Sequence, residues 1–387
     1  MKKKISIVIA FLRGYLGVLR LENKTKVYLV TRNVKKSFLG DILNRAEFYI
    51  PGVVIDIVQL ENYQKIPIKI VLSRCPVLIV GDVDVRKLWF PKFVGNIYNV
   101  DFNEYPHDGW DWHTLADYLF SNEQQIVRSN KLFMRSLSEN LSENKNKCYI
   151  FGTGQSLAKT INYDWSDGYR VVCNTIVRDR ELYEHINPHY IVAGDAIYHF
   201  GHTEFSRAFR KDLLTRLTES DAKFIYPASF HALVLREMKS VRNQLIPVPN
   251  SEMRCFNYGL DNCFVLPCLG NVLPLLLLPA ACTMSKNIYM IGFDGRAPDD
   301  KLFWSNSRKH SYPELMDSLI QSHPKFFEHY LKDNSPASYT KKYHGDELDD
   351  LMTLAEKDGW RFVLMSKSWT HTLQKRFEHG LINEIDS

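Results

Sequence analysis

The chain repeats one signal: short apolar runs rich in Val, Ile, Tyr and Phe, each closed by Gly, Asp, Asn, Ser or Pro and followed by a longer polar stretch. In the first part the runs are ISIVIAFL, KVYLVT, VVIDIV, VLIVGD and GNIYNVDF. In the second part they are CYIFGTG, YRVVCNT, HYIVAGD, KFIYPAS, QLIPVP, NIYMIGFDG and RFVLMS. Such runs, alternating with amphipathic segments, predict parallel sheets covered by helices. The expected class is α/β.

A length of 387 residues exceeds one ordinary domain and suits two. The polar stretch from Ser121 to Lys147 separates the two sets of runs, which places a boundary near residue 145 and domains at 1–145 and 146–387. With 45% apolar and 24% charged residues, and no long polar tract, the chain is expected to fold throughout. Lys plus Arg (49) nearly balance Asp plus Glu (44), so the net charge of +5 implies a mild preference for anionic partners and gives no support for nucleic acid. Seven scattered cysteines without a CxxC pair read as reduced structural thiols of a cytoplasmic protein.

Two segments mimic membrane signals. MKKKISIVIAFLRGYLG has a short apolar run interrupted by Arg13 and no cleavage site, so it is read as a first core strand. The uncharged span Phe264 to Met284 contains Pro267, Pro274, Pro279 and Asn271; a helix buried beneath a sheet is expected, with an intramembrane segment as the alternative.

In parallel sheets the carboxyl ends of the strands form the ligand crevice. The run endings therefore place Gly152, Gly154, Asn174, Asp195, Asp294 and Ser366 along one rim. YIFGTGQSLAKTI is a strand, a glycine turn and a helix start. Gly152 and Gly154 permit close backbone approach to a ligand, and Ser156 caps the helix and offers donors to a phosphate. The third glycine of a dinucleotide fingerprint is missing, as is a GxxxxGK[ST] loop. Asn174 is either a ligand amide or a turn residue bonding its own backbone.

In YIVAGDAIYHFGH, Asp195 has three readings: helix cap, metal ligand or catalytic carboxylate. His199 and His202 beside it are candidate acids, bases or phosphate ligands. In GFDGR, Arg296 is suited to clamp a phosphate or carboxylate, with Asp294 orienting it or holding a ribose hydroxyl; a structural pair is the alternative. Ser366 and Ser368 precede the last helix as caps or phosphate donors. His323, His329 and His344 lie in lid-like or surface segments, and Phe303 and Trp304 are expected in the core. VDFNEYPHDGWDWHTL, with Glu104, His107, Asp108, Trp110, Asp111, Trp112 and His113, suits either a carbohydrate surface or a polar loop over buried tryptophans.

FGTGQSL followed by VVCNTIV resembles the glycine turn and Cys-Asn pair of bacterial CMP-sialic acid transferases, and IYMIGFDG their later Gly-x-Asp strand end. The fuller set, CNTIVRD, PHYIVAGDAIYHFG, GFDGR and HPKFF, is similar to the retaining β-Kdo transferases of bacterial surface-polysaccharide assembly (glycosyltransferase family 99 and relatives), over roughly residues 146 to 370. This resemblance implies two Rossmann-like domains in a variant GT-B architecture, with the acceptor on the first and CMP-Kdo on the second. It implies a double displacement with Asp195 as nucleophile and Gly152, Gly154, Ser156, Asn174, His199, His202, Asp294, Arg296, Ser366 and Ser368 around the donor. Neither cofactor nor metal is required, since the phosphate of CMP is its own leaving group. Glu104 is the candidate that deprotonates the acceptor, an oligosaccharide or lipid-linked glycan of lipopolysaccharide or capsule assembly. Peripheral association with the inner membrane is expected. Gln155 departs from the proline common in the sialyltransferases. His344 in KKYHGDE is the candidate base of an inverting alternative, and a pterin pyrophosphokinase-like or glycan- or nucleotide-binding protein is a further one.

Overall fold

A computed structural model describes residues 24–61, 64–67, 69–70, 73, 75–83, 97–297, 309–332 and 346–381. Each strand β1–β11 falls on one of the apolar runs: β1 Lys26–Arg32, β2 Val54–Gln59, β3 Val77–Gly81, β4 Ile97–Asn99, β5 Lys147–Phe151, β6 Tyr169–Cys173, β7 Tyr190–Val192, β8 Lys223–Pro227, β9 Leu245–Val248, β10 Asn287–Ile291 and β11 Arg361–Leu364. The run ISIVIAFL lies outside the described residues. Strand pairing within both sheets is parallel, which establishes the α/β class.

The chain forms two compact units, residues 1–120 with 323–327, and 121–322 with 328–387. The division falls at Phe120 and Ser121 rather than near residue 145. The reason is the helix Glu123–Leu141, started by an Asn122/Gln125 capping box. It buries Ser129, Phe133, Ser136 and Leu137 against the second unit: Phe133 meets Phe264, Tyr190 donates to Ser136 Oγ, and Ser129 Oγ donates to the Pro247 carbonyl at 2.7 Å. That last bond covers β9, an edge strand whose Pro247 has no N–H to offer a ladder.

The first unit holds a four-stranded sheet of order β2-β1-β3-β4. Its center is Leu29, Val30, Leu78, Ile79 and Val80, all 0–1% exposed.

The second unit holds a seven-stranded sheet of order β11-β10-β5-β6-β7-β8-β9. Successive strands run outward from β5 to β9; the chain then returns to the other side of β5 to lay down β10 and β11. The strand order therefore reverses between β5 and β10, the place where a doubly wound sheet opens a crevice. The proline-rich span is a π-helical turn, Leu273–Leu277, continued by the helix Leu278–Met284, and both pack into the core beneath this sheet. Among the described residues no helix is long and apolar enough to cross a membrane.

Candidate functional site at the carboxyl edge of the second sheet

At the reversal point the turns after β5 and β10 touch through their backbones. A Cβ on Gly152 would lie 2.3 Å from the Gly292 carbonyl oxygen, and Gly292 itself has a φ of 79°. Gly154 N–H donates to the Gly292 carbonyl at 2.8 Å. These glycines are required first by turn-against-turn packing. The crevice they leave is lined also by Asn174, Asn271, Gly295 and Thr370.

Ser156 and Asp294, both expected at the donor, are turned to each other. The Asp294 carboxylate accepts the Ser156 N–H at 2.7 Å and the Ser156 hydroxyl, and Ser366 Oγ lies 2.9 Å from Ser156 Oγ. Burial raises the Asp294 carboxyl, and the Ser156 bonds oppose that rise. Ser156 therefore spends its N–H and hydroxyl on the turn. The helix at this start is a 3-10 helix, Gln155–Asn162. Ser368 is likewise engaged, donating to the Phe293 carbonyl at 2.7 Å and accepting Thr370 N–H at 3.0 Å. Arg296 is buried, at 6% exposure, one residue beyond Gly295.

Asn174 stands at the end of β6 in the left-handed region, φ 52°. Its side-chain carbonyl is buried at the crevice with no hydrogen-bond partner among the described residues. The left-handed backbone is one Asn tolerates, and the unsatisfied acceptor is open to a hydrogen-bond donor in the crevice.

Asp195 combines the cap with an open carboxylate. Oδ1 accepts the N–H groups of Ile197 and Tyr198, each at 2.8 Å, and so caps the turn that follows β7. Oδ2 accepts no hydrogen bond from the described residues, and the residue is half-buried. Burial pushes the carboxyl up to about 6 against the pull of the two N–H donors. His199 is 5% exposed; its Nδ1 accepts Asp195 N–H at 3.2 Å, and burial pulls it down to about 3. A ring so buried is neutral, and its contact orients the Asp195 backbone. The loop is further fixed by Arg210, whose Nη1 donates to the carbonyls of His199 and Gly201 at 3.1 and 2.8 Å. His202 is half-buried on the same loop.

Spacing connects these groups. Parallel strands lie about 4.8 Å apart, so Asp195, two strands from Gly152, stands about 10 Å across the rim. The Asn271–Leu276 segment borders both places: Asn271 lines the crevice, while Leu275 and Leu276 lie within 3.3 Å of a Cβ built on Gly194.

Sequence reasoning missed His231, which follows β8, the strand next to that of Asp195. Tyr226 OH and His231 Nδ1 are 2.7 Å apart, and burial pulls the imidazole down to about 4, so it is neutral. Only the apolar run and its Pro-Ala-Ser ending hinted at this position. Trp369, 63% exposed at the same edge, was also missed.

In the first unit, the aromatic and acidic cluster divides: Asp108, Trp112 and His113 are buried, Trp110 and Asp111 half-buried, and Glu104 and His107 exposed. Trp112 is fully buried and stacks on Tyr49 with ring centroids 5.4 Å apart, and His113 is 2% exposed. Asp108 is fully buried between Arg45 at 3.0 Å and His323 at 3.3 Å, which makes His323 structural rather than a lid residue. Asp111 accepts Asn99 N–H at 2.7 Å, and burial pushes it up to about 6. Glu104 is exposed, as are His107 and His329. His344, Phe303 and Trp304 lie outside the described residues. Among the described residues no group of three or more His, Cys, Asp or Glu is placed to hold a metal ion.

A wider hollow opens at the amino-terminal edge of the second sheet, among Tyr258, Cys282, Lys286 and Trp360. It lies at the opposite end of the strands from Asp195 and Asn174. Fold and crevice define a class: an α/β protein of parallel sheets with a candidate ligand crevice at the carboxyl edge of the larger sheet. No protein-family model, curated protein or solved structure matches the chain.

Proposed function

We propose that the chain is a retaining glycosyltransferase that moves Kdo from CMP-Kdo to a bacterial surface glycan, with the donor on the second unit and the acceptor on the first in a variant GT-B architecture. The observation that carries this reading is Asp195: one carboxylate oxygen is fixed by two backbone N–H groups, and the other is left open at the ligand edge. A nucleophile needs that combination of fixed direction and an available lone pair. The distance of about 10 Å between the glycine turn and Asp195 suits a nucleotide seated at the β5/β10 crevice with its sugar reaching β7.

In the first step Asp195 Oδ2 attacks the anomeric carbon, the bond from that carbon to the phosphate oxygen breaks, and CMP leaves with the electron pair. In the second step an acceptor hydroxyl oxygen attacks the same carbon, the carboxylate departs, and the hydroxyl proton passes to a base. Two inversions give net retention. Neutral His231, which follows β8, is the candidate from the second unit to take that proton, and Glu104 is the candidate from the first. Half-buried His202 faces the charge of the departing phosphate in this scheme. The protein works at the cytoplasmic face of the inner membrane.

The test is CMP release from freshly generated CMP-Kdo with and without acceptor saccharides. Release by the native protein that is lost in Asp195→Asn supports the proposal; equal release by both contradicts it.

A further inference from the structure

The loop after β11 is braced on every side yet presents one large aromatic ring to solvent. Ser368 Oγ donates to the Phe293 carbonyl at 2.7 Å, Ser368 N–H donates to Gln374 Oε1 at 2.8 Å, and Thr370 N–H donates to Ser368 Oγ at 3.0 Å. Trp369 N–H donates to the Asp294 carbonyl at 2.7 Å. The loop is thereby tied to the turn after β10, one wall of the crevice.

Within this rigid frame the Trp369 side chain remains 63% exposed. Its Cβ lies 3.3 Å from where a Cβ on Gly295 would stand, and Gly295 and the adjoining Thr370 both line the crevice. A tryptophan held in water at the rim of the crevice forgoes a large burial gain, and bracing of its backbone lowers the entropy cost of ordering the loop on binding. The crevice joins hydrogen-bonding groups, the Asn174 carbonyl among them, to the apolar side chains of Val272, Phe293 and Leu373, and the exposed indole extends that apolar surface past the rim, a combination suited to a ligand that is part polar and part aromatic.

We infer that Trp369 is the stacking platform for the nucleobase of the nucleotide bound at this crevice. This rests on the donor-binding reading of the same site. The indole covers one face of the planar base, so it sets affinity for the nucleotide portion and takes no part in the sugar chemistry at Asp195.

The test is calorimetric titration of CMP, UMP and AMP into the native protein, Trp369→Ala and Trp369→Phe. The expected result is a loss of about tenfold in affinity for CMP in the alanine variant and near-native affinity in the phenylalanine variant, with melting temperatures unchanged. An alanine variant that binds as tightly as native, or a loss that phenylalanine does not restore, overturns the inference. If the native protein binds UMP or AMP but not CMP, and the same pattern of loss and rescue holds, the platform stands and the CMP-Kdo reading falls. If it binds none of the three, both fall.

Discussion

Replacing Asp195 by Asn is expected to make the protein more stable while abolishing transfer. The amide oxygen keeps the bonds from Ile197 and Tyr198 N–H, so the turn after β7 retains its cap. What disappears is a charge that the fold disfavors. The carboxyl is raised from its ordinary 3.8 to about 6, and at 1.36 kcal/mol per unit the ionized group costs about 3 kcal/mol. Water at the half-exposed side chain screens part of this, leaving a gain of about 1–2 kcal/mol for the variant at pH 8. The sign follows from proton binding. The folded state holds the proton up to about pH 6 and the unfolded chain releases it near 3.8, so native stability relative to the variant falls as pH rises through that window. Urea unfolding of both proteins at pH 5 and pH 8 reads the difference. A variant less stable than native at pH 8, or a gap that does not widen from pH 5 to pH 8, refutes the reasoning.

Gly152→Ala forces a methyl to within 2.3 Å of the Gly292 carbonyl oxygen, where both partners are backbone; thermal melts are expected to show a loss of about 3 kcal/mol or more. Asn174→Gly relieves the left-handed strain, whereas Asn174→Ala retains it at a cost of about 1 kcal/mol. The glycine variant is expected to melt at or above the native temperature yet bind CMP more weakly, and unchanged CMP affinity by calorimetry contradicts a ligand role for the amide. Asp108→Ala leaves the Arg45 guanidinium buried and unpaired from its carboxylate, so urea unfolding of the first unit should lose about 3–5 kcal/mol.

The strands β5 to β9 are legible because burial on both faces writes them as continuous apolar runs, and the residues ending those runs are legible as a rim for the same reason. Asp195 and Asn174 could be placed from their position alone. The partners of these residues could not. Ser156 and Ser366 share a type with phosphate-binding groups and Asp294 with groups that hold a ribose hydroxyl, and only the approach of two turns 138 residues apart in sequence decides that Ser156 and Asp294 bond to each other. His199 next to Asp195 looks like a proton carrier in one dimension; packing against Phe209, with ring centroids 4.5 Å apart, makes it a neutral spacer. Trp112 and His113 were ambiguous because an amphipathic helix writes its buried aromatics and its exposed ones with the same letters. The stretch Ser121 to Lys147 reads as the divide between the two sets of runs because the polar face of the helix Glu123–Leu141 outnumbers the stripe of Phe133 and Leu137 that packs into the core of the second unit.

The central claim is that Asp195 carries the sugar. Intact-protein mass spectrometry after incubation with freshly generated CMP-Kdo and no acceptor tests it most directly, with Asp195→Asn as the comparison. The account predicts an adduct of one Kdo on the native protein, mapped by peptide fragmentation to Asp195 and absent from the variant. Release of CMP with no adduct, together with sugar transfer by Asp195→Asn, would contradict it.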